Sequence, residues 1–231
     1  MSKSKLYSAR LDKIDRSKAY SLEEALQVLK DLPAAKFDET VELAFRLGVD
    51  PRKSDQMIRG AMSLPKGTGK EVKVAVVASG EAATAAQEAG ADAVGFEELI
   101  ERIKGGWLEF DTLIATPAAM KNLRPLGRVL GPRGLMPNPK TGTVTDDPAT
   151  AVREAKAGRV EYRTDRGACV HVPVGKRSFS VADLMENANT VIQAILRARP
   201  ASTKGNYLLS LTVCSTMSPG IRIDTHSVTK A

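Results

Sequence analysis

Hydrophobic and polar positions along the 231-residue chain follow three successive regimes. In the first, Leu22, Leu26 and Leu29 recur at helical spacing behind Ser21 and Glu24, an S-x-x-E pattern that predicts a helix with a capping box. The segment VELAFRL then alternates strictly, with Val41, Leu43, Phe45 and Leu47 on one face and Glu42, Ala44 and Arg46 on the other. That is the signature of a strand with one buried face, as in an antiparallel or mixed sheet. A second strand is expected within QMIRGAMSL.

The pattern changes over PKGTGKEVKVAVVASG, Pro65 to Gly80. From there strands are continuous apolar runs and helices alternate with them. VKVAVVA leads to an alanine-rich helix ending at Gly90, then ADAVGF, the helix EELIERIK stopped by Gly105, and the strand DTLIATP. Asp147 followed by Pro148 makes an N-cap and first-turn pair for a helix closed by Gly158. Strands buried on both faces and interleaved with helices predict a parallel sheet covered on both sides.

After Gly158 the first regime returns. RVEYRT and ACVHVPV read as two strands around the turn DRG. Val181, Leu184, Ala188, Val191 and Ile195 form one helical stripe, and in YLLSLTVCS the residues Leu209, Leu211 and Val213 alternate with Ser210, Thr212 and Cys214. The arrangement predicts an α+β split domain, a mixed or antiparallel sheet with helices, made of residues 1–66 and 158–231. It is interrupted by an inserted α/β parallel-sheet domain, Rossmann-like and three-layered, over residues 67–157. Two crossings, near Lys66–Lys70 and Ala157–Arg159, would join them as a double hinge.

Composition narrows the function classes. Only 4% of residues are aromatic, so the cores must be aliphatic. Lys and Arg number 34 against 27 Asp and Glu, a net charge of +7 that favours an anionic partner, nucleic acid ahead of a membrane surface. The charged N-terminus has no secretory pattern, and the longest apolar run, Val74 to Ala78, is far too short for a membrane span. Two cysteines exclude a disulfide framework and suit the cytoplasm.

No catalytic constellation is found. KGTGK, Lys66 to Lys70, resembles the end of a phosphate-binding loop, but Leu64 stands where the first glycine is needed and Glu71 where the magnesium-holding hydroxyl belongs. It also runs into a strand instead of a helix N-terminus, so it reads as a linker. GRVLGPRG, Gly127 to Gly134, lacks dinucleotide-loop spacing. Cys169 and His171 share a strand face without a second ligand pair. The expectation is no enzyme, no cofactor and no metal, with a nucleotide-binding α/β enzyme as the alternative that rests on fold analogy alone.

The cations are more informative. Lys36, Arg52, Lys53, Arg59, Arg163, Arg166, Lys176, Arg177, Lys204 and Arg222 all fall in the split domain, mostly at strand ends and in loops, where backbone-contacting charges are useful. Lys36 precedes Phe37, a cation beside a ring suited to nucleotide stacking; the competing reading makes Phe37 a core anchor under the next strand. The stretch LGRVLGPRGLMPNPKTGT, Leu126 to Thr143, has four glycines, three prolines, three cations and no carboxylate. It is either an auxiliary basic surface, through Arg128, Arg133 and Lys140, or a connection shaped by its glycines and prolines.

Several stretches together resemble the ribosomal protein L-one family of the large subunit. They are KFDETVELAFRLGVDPRKSDQMIRGAMSLPKGTGK, MKNLRPLGRVLGPRGLMPNP, KAGRVEYRTDRGACVHVPVGK and KGNYLLSLTVCSTMSPGIRID, covering most of the chain after about residue 20. The resemblance implies a cytoplasmic, non-enzymatic, monomeric protein with the split-and-inserted architecture. It implies binding of large-subunit ribosomal RNA at the mobile stalk near the tRNA exit site, contact with exit-site tRNA, and repression of translation from its own messenger RNA. Carried over position by position, the RNA-binding residues would be Lys36, Phe37 and Thr40, then Asp165, Arg166 and Gly167, then Thr216, Met217 and Ser218. The family usually has glycine after Thr-Met, where this chain has Ser218 and places glycine at Gly220. Glycine there would permit positive φ or close backbone approach; serine supplies a hydroxyl instead.

Overall fold

In a computed structural model, which describes residues 4–229 apart from the side chains of Lys140 and Thr229, the first elements are helix α1 (Lys5–Leu11) and helix α2 (Leu22–Asp31). The predicted capping box is formed: the Ser21 hydroxyl accepts the Glu24 N–H at 3.2 Å and the Glu24 carboxylate accepts the Ser21 N–H at 3.3 Å. Strands β1 (Thr40–Leu47) and β2 (Arg59–Ser63) follow. Next come β3 (Val74–Val77), α3 (Glu81–Glu88), β4 (Ala93–Gly95), α4 (Glu97–Lys104) and β5 (Thr112–Ala115). Two four-residue helices, α5 (Met120–Leu123) and α6 (Gly127–Leu130), precede α7 (Pro148–Lys156). The chain then forms β6 (Arg159–Arg163), β7 (Cys169–Lys176), α8 (Val181–Arg197), β8 (Leu208–Ser215), β9 (Ile221–Ile223) and α9 (Thr225–Thr229).

The chain divides into two units, one of Met1–Gly69 with Val160–Ala231, the other Lys70–Arg159. In the first, an antiparallel sheet of order β7-β1-β8-β9 carries helices α2 and α8 on one face. The alternation in β1 decides which side chains meet them: Val41, Leu43, Phe45 and Leu47 are buried with Leu22, Leu26 and Leu29 of α2 and Leu184, Ala188, Val191 and Ile195 of α8. Strands β6 and β7 do flank the turn at residues 165–167, but they enter different sheets, since β6 pairs with β2 and β7 with β1.

One expectation fails. Leu209 is 47% exposed, and Leu208 takes the inward position. Arg46 lies opposite Ser210 while Leu47 lies opposite Leu208, so β8 carries one extra residue there. A bulge of that kind shifts the period-2 pattern by one, which a strict alternation count does not register.

In the second unit, β4-β3-β5 form a parallel sheet. Strand β3 is buried along its whole length, as its unbroken apolar run requires. Ala75 and Val77 face a cluster with Leu99, Ile103, Leu123 and Leu130, whereas Val74 and Val76 face Ala86, Ala151 and Val152 of α3 and α7. Asp147 caps α7 by accepting the Thr150 N–H at 3.2 Å.

Candidate nucleic-acid interface

Six of the nine positions implied as RNA-binding lie at one end of the antiparallel sheet. Thr40 is opposite Lys176, and Val41 is opposite Ser215, so the loop entering β1, the end of β7 and the turn after β8 converge there. The Thr40 N–H donates to the Thr216 hydroxyl at 3.0 Å, and the Thr216 N–H returns a bond to the Thr40 carbonyl at 3.1 Å. Lys176 Nζ donates to the Thr40 hydroxyl at 2.9 Å. The turn closes on itself: Ser218 N–H donates to the Ser215 carbonyl at 3.0 Å, and the Ser215 N–H donates to Ser218 Oγ at 2.8 Å.

Two large apolar side chains stand out from this end. Phe37 is 54% exposed and Met217 is 50% exposed. The core-anchor reading of Phe37 is therefore wrong; its neighbour Asp38 turns the loop by accepting the Ser178 N–H and hydroxyl, which leaves the ring outside the core. Exposed apolar groups on an ordered, cation-bearing rim suit contact with bases and ribose.

Behind the rim sits Glu39, fully buried. Burial alone pushes its carboxyl up, and hydrogen bonds from Arg10, Arg177 and the Met217 N–H outweigh that, holding it at about 2. Its place follows from the sequence: 39, 41, 43, 45 and 47 share one parity, so the alternation of β1 extended one step back aims Glu39 at the covered face. Sequence reasoning passed over it because it is a carboxylate among candidate cations.

Asp165, Arg166 and Gly167 are not part of this cluster. Arg46, six residues along β1 from Thr40, is opposite Cys169, which puts the turn about 20 Å away at the other end of the sheet. Asp165 shapes the turn: its Oδ1 accepts the Gly167 N–H at 2.8 Å and the Cys169 N–H at 2.7 Å. Arg166 projects into a cleft shared with Pro51, Arg52, Met57 and Arg163. Arg52, Arg163 and Arg166 take part in none of the ion pairs among the described residues, and Met57 is 43% exposed beside them.

Of the remaining candidate cations, Arg177 is turned inward: it bonds Glu39, the Pro33 carbonyl, and the Lys30 and Leu32 carbonyls that end α2. Arg222 lines a groove on the open sheet face with Arg16, Arg46 and the outward Leu209. In the second unit Arg128 and Arg133 are exposed, and the side chain of Lys140 lies outside the described residues. Leu126, Leu130, Leu135 and Met136 tie the stretch from 126 to 143 to the core, so its glycines and prolines do shape a folded connection. At Gly142, φ is 67° and a Cβ would meet the Arg159 guanidinium at 2.3 Å.

Gly67 and Gly69 have positive φ but lead into β3, with the Lys66 N–H donated to Asn187 Oδ1 at 3.0 Å, so no helix N-terminus faces a phosphate there. Among the described residues no group of three or more His, Cys, Asp or Glu is placed to hold a metal.

The profile of the Ribosomal protein L1p/L10e family matches residues 29–219. The Large ribosomal subunit protein uL1 of Methylobacillus flagellatus is 56% identical over 221 residues, covering 96% of each chain.

Proposed function

The chain belongs to the Ribosomal protein L1p/L10e family, and from that premise we propose that its antiparallel sheet grips large-subunit RNA at the mobile stalk through the rim of Lys36, Phe37, Thr40, Thr216, Met217 and Ser218. The coarse role comes with the family: a non-enzymatic structural protein of the large ribosomal subunit that binds ribosomal RNA, cytoplasmic in bacteria. No helix among the described residues is long and apolar enough to cross a membrane.

The observation that carries the finer reading is the pair Phe37 and Met217, exposed at 54% and 50% on the hydrogen-bonded rim. Two large apolar groups held in water on a hydrogen-bonded rim beside Lys36 and Lys176 suit a partner that covers them. RNA supplies stacking faces for the ring and thioether, riboses for the threonine hydroxyls and phosphates for the lysines. Location beside the tRNA exit site, contact with exit-site tRNA and repression of the chain's own messenger are part of this proposal and rest on the family resemblance.

The test is a titration of stalk RNA with the wild-type chain, Phe37→Ala and Met217→Ala. Phe37→Ala should lose about tenfold or more in affinity, since one base stacked on an aromatic ring is worth about 1–3 kcal/mol, and Met217→Ala should also weaken binding. Unchanged affinity in both would remove the rim as the site. Competition between stalk RNA and the leader of the chain's messenger then tests repression: the two RNAs should exclude one another.

A further inference from the structure

Glu39, a buried residue just ahead of β1, accepts five hydrogen bonds through its carboxylate. Arg10 of α1 donates Nη1 to Oε1 at 2.8 Å and Nη2 to Oε2 at 2.7 Å, a bidentate pair with no exposure on either side. Arg177, just beyond β7, adds Nη1 to Oε2 at 2.9 Å. The Ser215 hydroxyl donates to Oε1 at 3.2 Å, and the Met217 backbone N–H donates to the same oxygen at 3.0 Å. One carboxylate thus joins the first helix, the end of β7, the end of β8 and the turn that carries Met217.

The ionised carboxylate stabilises the fold, but stability does not by itself call for a charged cluster at this place. Replacing buried charges by apolar groups of similar volume is often neutral or stabilising, because desolvation offsets the attraction. What the carboxylate does that an apolar group would not is take up the Met217 N–H. That N–H belongs to the residue whose side chain is exposed at the rim, and without an acceptor the turn loses the bond that fixes its backbone at that residue.

We propose that Glu39 is a positioning residue for RNA recognition, that it fixes the backbone at Met217 in its binding geometry, and that Arg10 of the N-terminal helix acts through it. The inference rests on the reading of the 36–40 and 215–218 rim as the RNA site. It goes beyond that reading because it makes α1, which touches no RNA in this scheme, a determinant of affinity. A preordered turn binds without spending interaction energy on its own ordering, whereas a loosened turn loses affinity with every RNA contact still chemically present.

The experiment uses the full chain with isotope-labelled methionine methyl groups, stalk RNA, and temperatures well below each variant's melting point. Glu39→Gln and Arg10→Met should each lower RNA affinity about tenfold. Both should shift or broaden the Met217 methyl signal while leaving those of Met62, Met136 and Met185 in place. Arg10→Lys, which keeps the charge but loses the bidentate fork, should fall between wild type and Arg10→Met. Tyr207→Phe, which removes a buried bond to the Ile195 carbonyl at 2.9 Å elsewhere in the same core, should lower the melting temperature with affinity and methyl signal unchanged.

Wild-type affinity in folded Arg10→Met and Glu39→Gln would overturn the proposal, and so would reduced affinity with an undisturbed Met217 signal. If Glu39→Gln does not fold, Arg10→Met and Ser215→Ala decide by the same two readouts. Failure of the rim itself shows separately: Met217→Ala would then bind normally, while the methyl signal in the Arg10 and Glu39 variants would still report whether the turn is held.

Discussion

The hydroxyl of Ser218 accepts the backbone N–H of Ser215 at 2.8 Å, closing the turn that carries Met217. Ala168 is the one non-glycine with positive φ among the described residues, so Ser218 does not occupy the backbone region that a glycine would open. The departure from the family's glycine is therefore an added clamp. Ser218→Gly should lose that bond and raise the freedom of the unfolded chain, together about 1–2 kcal/mol. Thermal melts of the two proteins check this, and RNA affinity should not improve; tighter binding by Ser218→Gly would show the serine to be an obstruction.

Thr216 has a structural duty alongside its proposed ribose contact. Its hydroxyl accepts the Thr40 N–H at 3.0 Å, so Thr216→Val leaves a backbone donor unpaired at the rim. The expected loss is about 1 kcal/mol of stability as well as RNA affinity. Thr216→Ser keeps the acceptor and should restore both. A valine variant that melts like wild type would mean water replaces the bond without loss.

Glu39 sets an acid limit for its unit. Its carboxyl is held at about 2 in the folded protein against an ordinary value of 4.5. A depressed carboxylate contributes stability above the unfolded value and loses it as pH falls towards the folded one. Stability should thus be lost progressively from about pH 4.5 down to about 2, by an amount on the order of 3 kcal/mol. Denaturant titrations across that range should show the slope in wild type and a flatter profile in Glu39→Gln.

These residues also mark how far the sequence could be read. The alternation from Val41 to Leu47 gave the buried face of β1 because every second residue meets α2 and α8. The same rule misplaced Leu209, because a bulge is a property of the strand pair and not of one strand. That Thr40 and Asp165 mark opposite ends of the sheet was equally hidden: it depends on β1 lying antiparallel to β7, a pairing across more than a hundred residues. Lys36 and Arg177 look alike as cations in a list, yet Lys36 is exposed while Arg177 serves a buried carboxylate, and only the fold separates them.

At the far end of the sheet, Arg166 and Asp165 should separate by experiment. Arg166 is exposed and outside every ion pair described above, so Arg166→Ala should leave the melting temperature alone. If it lies on phosphate, the slope of log affinity against log salt should fall by about 0.7–0.9. Asp165→Ala removes the acceptor of two backbone N–H groups beside Ala168, whose φ is 61°, and should destabilise the turn. An unchanged salt slope for Arg166→Ala would take this end off the RNA.

The last prediction concerns whether the second unit is needed for binding. On the first unit both crossings start from defined places. Thr164 N–H donates to the Ile58 carbonyl at 2.9 Å, so β2 and β6 run side by side in opposite senses, and the end of β2 lies beside the start of β6. The chain after β2 stays pinned for several residues: Asn187 accepts the Lys66 N–H and donates to the Gly67 carbonyl, both at 3.0 Å. Removing residues 70–158 and joining Gly69 to Arg159 by a short Gly/Ser linker therefore breaks none of the bonds that build the sheet. All nine positions implied as RNA-binding remain, with Arg10, Glu39 and Arg177 behind the rim. The joined protein should melt cooperatively and bind stalk RNA with most of the full-length free energy. The difference in salt slope between the two would count the contacts made by Arg128, Arg133 and Lys140. Binding that stays with the excised 70–158 segment, and is absent from a folded joined protein, would falsify the placement of the site on the antiparallel sheet and move it to the glycine-rich stretch between residues 126 and 143.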